Sequence, residues 1–238
     1  MLSARDALVR RGQFALRGDF EARTGEFHAL VGRNGAGKTT WLRLLAGQLR
    51  QSEGEIECGG RSVRPPLVAY LPARSEDAAL GAGRLAEVEL TLGLLGDPQD
   101  AATHLAEIER LLDLPQERPE GRSEVFFRAL SGLAAMRPEA ILLDEPTSRL
   151  DPASRGVAYR ALRRLAAAGA AVVAATHDPD LARRADCLWL VAEGTLARVS
   201  LEEAVARGAL RAPEIFAALP ALPLAADASA ALRALLRP

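Results

Sequence analysis

Short apolar runs broken by glycine set the rhythm of this chain. Phe27-His28-Ala29-Leu30-Val31 is one such run, ending at Gly32, and it predicts a buried strand. From Thr39 to Leu49 the period changes. Trp41, Leu42, Leu44, Leu45 and Leu49 fall largely on one side of a 3.6-residue repeat, which predicts a helix. Upstream, Ala7 to Phe20 carries turn signals at Arg11-Gly12 and Arg17-Gly18, which suggest short antiparallel strands. Gly54 to Gly60 reads as a strand ending in a turn, and Leu67 to Leu71 as another strand after Pro65-Pro66. Between about 75 and 125 acidic and apolar residues alternate at helical spacing, as in Ala101 to Leu112. Breaks fall at Gly96-Asp97-Pro98 and Leu114-Pro115, as in a small helical insert. Strand and helix then alternate again. Ala140 to Asp144 has the continuous apolar run of a central parallel strand, Pro152 to Ala168 predicts a helix, and Ala171 to Thr176 a strand. Leu188 to Ala192 and Thr195 to Val199 flank a turn at Glu193-Gly194, and Ser200-x-x-Glu203 suits a capping box. The Ala/Leu/Pro-rich tail beyond Pro213 suggests loose packing, with a helix near Ala228 to Leu236. There is no internal repeat.

Composition narrows the class without choosing a function. The 238 residues suit one large domain, or a domain with a small appendage, at 49% apolar and 26% charged. A net charge of −1 and 4% aromatics argue against a nucleic-acid surface. Cys58 and Cys187 lack metal spacing and suit a reduced, cytosolic protein. No leader is visible and no stretch approaches the ~18 apolar residues of a membrane span, so work at a membrane requires docking onto a spanning partner.

The candidate chemistry begins with the single lysine. Lys38 is the only lysine among 30 basic residues and Asn34 the only asparagine, and both lie in Gly32-Arg33-Asn34-Gly35-Ala36-Gly37-Lys38-Thr39. This is a G-x-x-x-x-G-K-[ST] phosphate loop, placed between a strand and a helix as such a loop requires. Its backbone N–H groups form a concave nest for phosphate at a helix N-terminus. Lysine is a compact point charge that fits beside β- and γ-phosphates, where the broad arginine fork does not. The Thr39 hydroxyl can ligate Mg²⁺. Asp144 ends its strand where an acid can hold that ion, directly or through water, and Glu145 would face the γ-phosphate and orient the attacking water. An acid pair after an apolar run also suits a strand end in water, and the phosphate loop favours the ligand role. His177 ends a second apolar strand at the same edge, where a contact to the γ-phosphate is expected. His28 and His104 have no such context and are expected to be structural or surface residues.

These residues carry a resemblance. Gly32 to Thr40 resembles the Walker A motif of ABC-type ATPases, Leu143 to Pro152 their Walker B and D-loop, and Thr176-His177-Asp178 their switch histidine. Order and spacing agree from about residue 2 to 200. The resemblance implies an α/β fold: a P-loop (RecA-like) mostly parallel sheet flanked by helices, with an N-terminal antiparallel β subdomain and a small helical subdomain at about 75–137. Residues 201–238 are then a C-terminal helical extension. It also implies ATP and Mg²⁺ as ligands, a head-to-tail dimer enclosing two ATPs, and docking through the insert onto a transmembrane permease. Val68 to Leu71 with Glu76-Asp77, and Ala135 to Glu139, are similar to importer subunits of the energy-coupling-factor and cobalt type. Cobalamin- and haem-type importers remain alternatives.

Three positions depart from the family pattern. Counting back from Pro138 and Asp144, the LSGGQ signature falls at Glu120-Gly121-Arg122-Ser123-Glu124, which is degenerate, while Leu130-Ser131-Gly132 belongs to the following helix. The Q-loop glutamine position holds Ala73. The adenine-stacking aromatic falls near Arg11, where the guanidinium plane or nearby Phe14 could substitute. The expectation is an ATP-hydrolysing transport subunit, peripheral on the inner face of the membrane. It would pair with a second ABC ATPase subunit as homo- or heterodimer, the heterodimer favoured, and bind no nucleic acid. A soluble non-transport ABC ATPase and a low-turnover regulatory subunit are the alternatives.

Overall fold

The computed structural model describes residues 1–97, 100–115, 119 and 121–210. In chain order its elements are β1 (Leu2–Arg11), β2 (Phe14–Ala22), β3 (Phe27–Val31), α1 (Lys38–Leu45), β4 (Glu53–Cys58), β5 (Arg61–Ser62) and β6 (Val68–Leu71). Three helices follow, α2 (Arg84–Leu95), α3 (Ala101–Leu112) and α4 (Arg122–Ala135). The rest are β7 (Ala140–Asp144), α5 (Pro152–Ala167), β8 (Ala171–Ala175), α6 (Pro179–Ala182), β9 (Cys187–Ala192), β10 (Thr195–Val199) and α7 (Leu201–Ala206).

The strands form one sheet in the order β5-β4-β1-β2-β10-β9-β3-β8-β7-β6. The arm from β9 to β6 is parallel and the arm from β5 to β2 antiparallel. β3, β7 and β8 are buried at every position, which is why their sequences are continuous apolar runs and not alternating ones. Two layers of core lie against this sheet. Trp41, Leu42, Leu44 and Leu45 of α1 pack between the inner faces of the two arms, against Leu16 and Phe20 on one side and Leu142 and Val173 on the other. On the opposite face Ile141, Leu143 and Val172 meet α4 and α5, with α2 and α3 packed beyond. All five parallel strands end at one edge, and the loops after β3, β7 and β8 gather there.

Two expectations need correction. Arg17-Gly18 is not a turn: β2 runs through it, paired with β1 from Phe14 to Ala22. Gly18 is there for closeness, since a Cβ on it would lie 2.7 Å from the Cβ of Leu196 in β10. Gly18→Ala should therefore cost about 1–3 kcal/mol, read as a lower denaturation midpoint. The helix predicted to Leu49 stops at Leu45, because Gly47 takes a left-handed conformation (φ 70°) and Gln48 N–H bonds back to Arg43 O at 2.9 Å. The insert is helical as expected, and Leu130-Ser131-Gly132 lies inside α4, where the buried Ser131 hydroxyl bonds Phe127 O at 2.9 Å. Ser200 caps α7 by accepting from Glu203 N–H at 3.1 Å. The tail helix expected near Ala228 to Leu236 lies outside the described residues.

Candidate functional site

A cleft of about 700 Å³ sits at the C-terminal edge of the parallel strands. Asn34, Gly35, Gly37, Lys38, Thr39 and Thr40 form one wall, Asp144, Glu145 and His177 the facing one. Arg11, Phe14, Ala73 and Ser148 complete the rim. The loop can pass this close only with glycine. Gly32 has φ 154°, and a Cβ there would lie 2.4 Å from Val191 O; Gly37 has φ 112°, and a Cβ would lie 2.6 Å from the Phe14 ring. Ala36 N–H closes the turn on Arg33 O at 3.1 Å.

Lys38 is buried, and its ammonium has three N–H donors to place. They go to Gly32 O at 2.8 Å, Arg33 O at 3.3 Å and the His177 Nε2 atom at 3.0 Å. The last contact requires His177 to be neutral at Nε2 and to accept. Burial pushes the Lys38 pKa down, against the attraction of Glu145 and Asp144. Burial also lowers that of His177, and Lys38 lowers it further. Opposite them, Thr39 Oγ1 donates to Asp144 Oδ2 at 2.8 Å. Burial raises the Asp144 pKa, opposed by the Thr39 bond and Lys38. Glu145 sits in a left-handed conformation (φ 47°), its N–H on Ala175 O at 2.9 Å. That kink turns the side chain into the cleft, where Oε2 accepts from His177 N–H at 3.2 Å. Oε1 is buried without a hydrogen-bond partner, 3.3 Å from His177 Nε2. Burial raises the Glu145 pKa, against the His177 N–H bond and Lys38.

Beneath these groups is a support that sequence reasoning missed. Asp178 Oδ2 accepts from Thr147 Oγ1 at 2.8 Å and from Tyr159 OH at 2.6 Å, and Oδ1 accepts from the N–H groups of Asp180 and Leu181. Asp178 thus ties the loop of His177 to the segment after Glu145 and to α5. Its position directly after the histidine was the one available signal; Tyr159 gave none.

The degenerate stretch faces its own chain. Ser123 is buried, and its hydroxyl donates to Asp151 Oδ2 at 2.7 Å. Glu124 accepts from the buried Arg84 at 2.8 Å. Glu120 lies outside the described residues. His28, away from the cleft, is buried between the Trp189 Nε1–H donor at 3.0 Å and Glu26 at 2.9 Å, and His104 is buried in α3.

Chemically, the cleft offers an amide nest with one cation, a hydroxyl and carboxylate side by side, and a buried carboxylate beside a neutral imidazole. Among the described residues no three His, Cys, Asp or Glu side chains converge as a metal cage. The Thr39–Asp144 pair is a hard-oxygen donor set that suits Mg²⁺ only when substrate phosphates complete it.

Known proteins share the sequence and the fold of this chain. The ABC transporter family model matches residues 17–86. A Streptomyces coelicolor protein named as an ABC transporter ATP-binding protein is 35% identical over 82% of this chain and 76% of its own length. The cobalt import ATP-binding protein of Rhodobacter capsulatus is 35% identical over 79% of this chain and 76% of its own. The solved structure of CbiO1 from Clostridium perfringens, part of an ABC transporter complex, superposes with a TM-score of 0.72 at 20% identity, over 90% of this chain and 96% of that one. The chain belongs to the ATP-binding proteins of ABC transporters.

Proposed function

We propose that this chain binds and hydrolyses ATP and, through nucleotide-driven dimerisation, powers transport by a partner membrane permease. The observation that carries this is the convergence of Lys38, Thr39, Asp144, Glu145 and His177 on one cleft at the sheet edge. Gly32 to Thr40 cradle the phosphates, and Lys38 exchanges its carbonyl contacts for β- and γ-oxygens. Thr39 and Asp144 would hold Mg²⁺, which would supply charge neutralisation for the phosphates. Glu145 takes the proton of the attacking water as the water oxygen bonds the γ-phosphorus and the bond from that phosphorus to the ADP oxygen breaks. His177, no longer accepting from Lys38, offers a ring N–H to the γ-phosphate.

Phe14, against the Gly37 backbone, is the leading candidate to face the adenine. Phe14→Ala should weaken ATP binding about tenfold by calorimetry, within the range of one aromatic stack. A loss seen instead with Arg11→Ala transfers that role to the guanidinium.

We infer further that residues 1–200 form the ATPase domain, with its helical insert at about 75–137, and that 201–238 are an extension. No helix among the described residues is long and apolar enough to cross a membrane. The similarity to import ATP-binding proteins supports work through a membrane partner, on its cytoplasmic face.

The inward engagement of Ser123 and Glu124 favours an asymmetric heterodimer, because those side chains are spent inside this chain and are not offered across an interface. Ala73 likewise brings no polar group to the rim. Mixing with a second ABC ATPase subunit that has an intact signature should raise ATP turnover at least tenfold above the sum of the separate proteins. An isolated chain that already turns over at the mixed rate would sink the heterodimer.

A further inference from the structure

Behind the ATP cleft, the outer face of α5 and the segment after α6 enclose a second cleft of about 330 Å³, lined by Tyr159, Arg160, Arg163, Arg164 and Arg184. The four α5 residues share a side because Tyr159 and Arg163, and Arg160 and Arg164, are four apart, and Arg160 and Arg163 three apart. Four guanidiniums in one small concavity are conspicuous in a chain of net charge −1.

Their acidic neighbours do not cancel them. Asp113 serves both Arg160 at 3.3 Å and Arg164 at 3.6 Å. Asp186 serves Arg163 at 2.7 Å. Asp180 is 4.0 Å from Arg184 and is shared with Arg183 at 3.0 Å. Three carboxylates therefore stand against four cleft arginines and a fifth at the edge. The cleft side chains are 39–56% exposed, and ion pairs at such exposure are weak. An anion of two or more charges can displace them. Guanidinium forks match phosphate oxygens two at a time, and a volume at the low end of ligand sites suits a small anion and excludes a polymer.

Tyr159 is the one lining residue of this cleft that is tied to the His177 loop. The Arg184 guanidinium lies 4.5 Å over the Tyr159 ring, and the Tyr159 hydroxyl donates to Asp178 Oδ2 at 2.6 Å. Asp178 adjoins His177, which touches Lys38 and Glu145. A ligand that draws Arg184 off the ring acts on Tyr159, and Tyr159 is one hydrogen bond from the loop that faces the γ-phosphate.

We propose that this cleft binds a small phosphate-bearing anion of diphosphate size, and that its occupancy is transmitted to His177 through Tyr159 and Asp178. The test uses the full chain carrying Lys38→Ala, which disables the ATP loop, with inorganic pyrophosphate titrated by calorimetry. Phosphatidylglycerol vesicles in a flotation assay form the second arm. The expected result is one pyrophosphate site, weakened at least tenfold by adding Arg163→Ser and Arg184→Ser. If only vesicle binding appears and is lost in that variant, the phosphate belongs to a lipid headgroup. If neither ligand binds, or the arginine changes leave both unaltered, the proposal is overturned. Transmission is read by NMR of the three histidines. Pyrophosphate should move the His177 signals and leave those of His28 and His104 in place. Adding Tyr159→Phe should abolish the movement while calorimetry still shows binding; a His177 signal that never moves, or that moves equally without the Tyr159 hydroxyl, overturns the transmission. None of these readouts needs ATP turnover, so they fail or succeed independently of the proposed transport function.

Discussion

Glu145→Gln lowers ATP turnover by about 10²–10⁴-fold, the range for removing a general base, and leaves ATP binding within about twofold. The amide keeps the shape of the side chain and an acceptor oxygen for His177 N–H, so the cleft is preserved while the proton acceptor is gone. Bound ATP then persists and the nucleotide-closed dimer accumulates, which size-exclusion chromatography with Mg-ATP detects. Turnover unchanged in this variant would remove Glu145 from the chemistry.

Stability separates this role from a structural one. Burial raises the Glu145 pKa in the folded protein above its unfolded value. A group shifted that way binds its proton more tightly when folded. Its contribution is fully present below the unfolded pKa of about 4.5 and is lost as pH rises through the folded value. At neutral pH the wild-type protein therefore carries the cost of a buried charge, and the buried Oε1 atom without a hydrogen-bond partner is where that cost resides. Glu145→Gln removes it, so the variant should unfold at the same or higher denaturant concentration at pH 7, with the difference shrinking toward pH 4. An inactive variant that is also less stable at pH 7 would point to a structural carboxylate.

The readable parts of the chain were those where local sequence decides. The phosphate loop announced itself because glycine, lysine and threonine at fixed spacing have one good use between a strand and a helix. β3, β7 and β8 were legible because burial on both faces leaves continuous apolar runs. Gly18 misled because a glycine needed for the approach of Leu196 looks, in sequence, like one needed for a turn. The Asp178–Tyr159 bond spans 19 residues and the Ser123–Asp151 bond 28, and no local pattern announces either. The inward fate of the degenerate signature was also invisible. Its sequence says that the motif is lost, and only the fold says what occupies its side chains.

Arg84 is the clearest case of a residue that only the fold explains, and Arg84→Ala should destabilise the protein by about 3–5 kcal/mol, the cost of breaking a buried ion cluster. The side chain is fully buried where α2, α3 and α4 meet. It donates to Glu109 at 3.1 Å, to Pro115 O at 3.3 Å and to Glu124 at 2.8 Å, with its guanidinium 5.8 Å from the Phe127 ring centre. Arginine cannot shed its proton to escape a poor site, so the cluster holds only because both carboxylates are present. Removing Arg84 leaves Glu124, itself mostly buried, without its cation and with one oxygen already unpaired. Urea unfolding should show the loss directly. Because the cluster exchanges desolvation for attraction, it is less a source of stability than a means of fixing geometry. The triple replacement Arg84→Met, Glu109→Gln, Glu124→Gln should therefore recover most of the lost stability. That recovered protein isolates the geometric role. If the cluster sets how α4 presents Gly121 and Arg122 to a partner subunit, the triple variant folds normally yet fails to raise turnover on mixing. A triple variant that stimulates as well as wild type would reduce Arg84 to a purely internal brace.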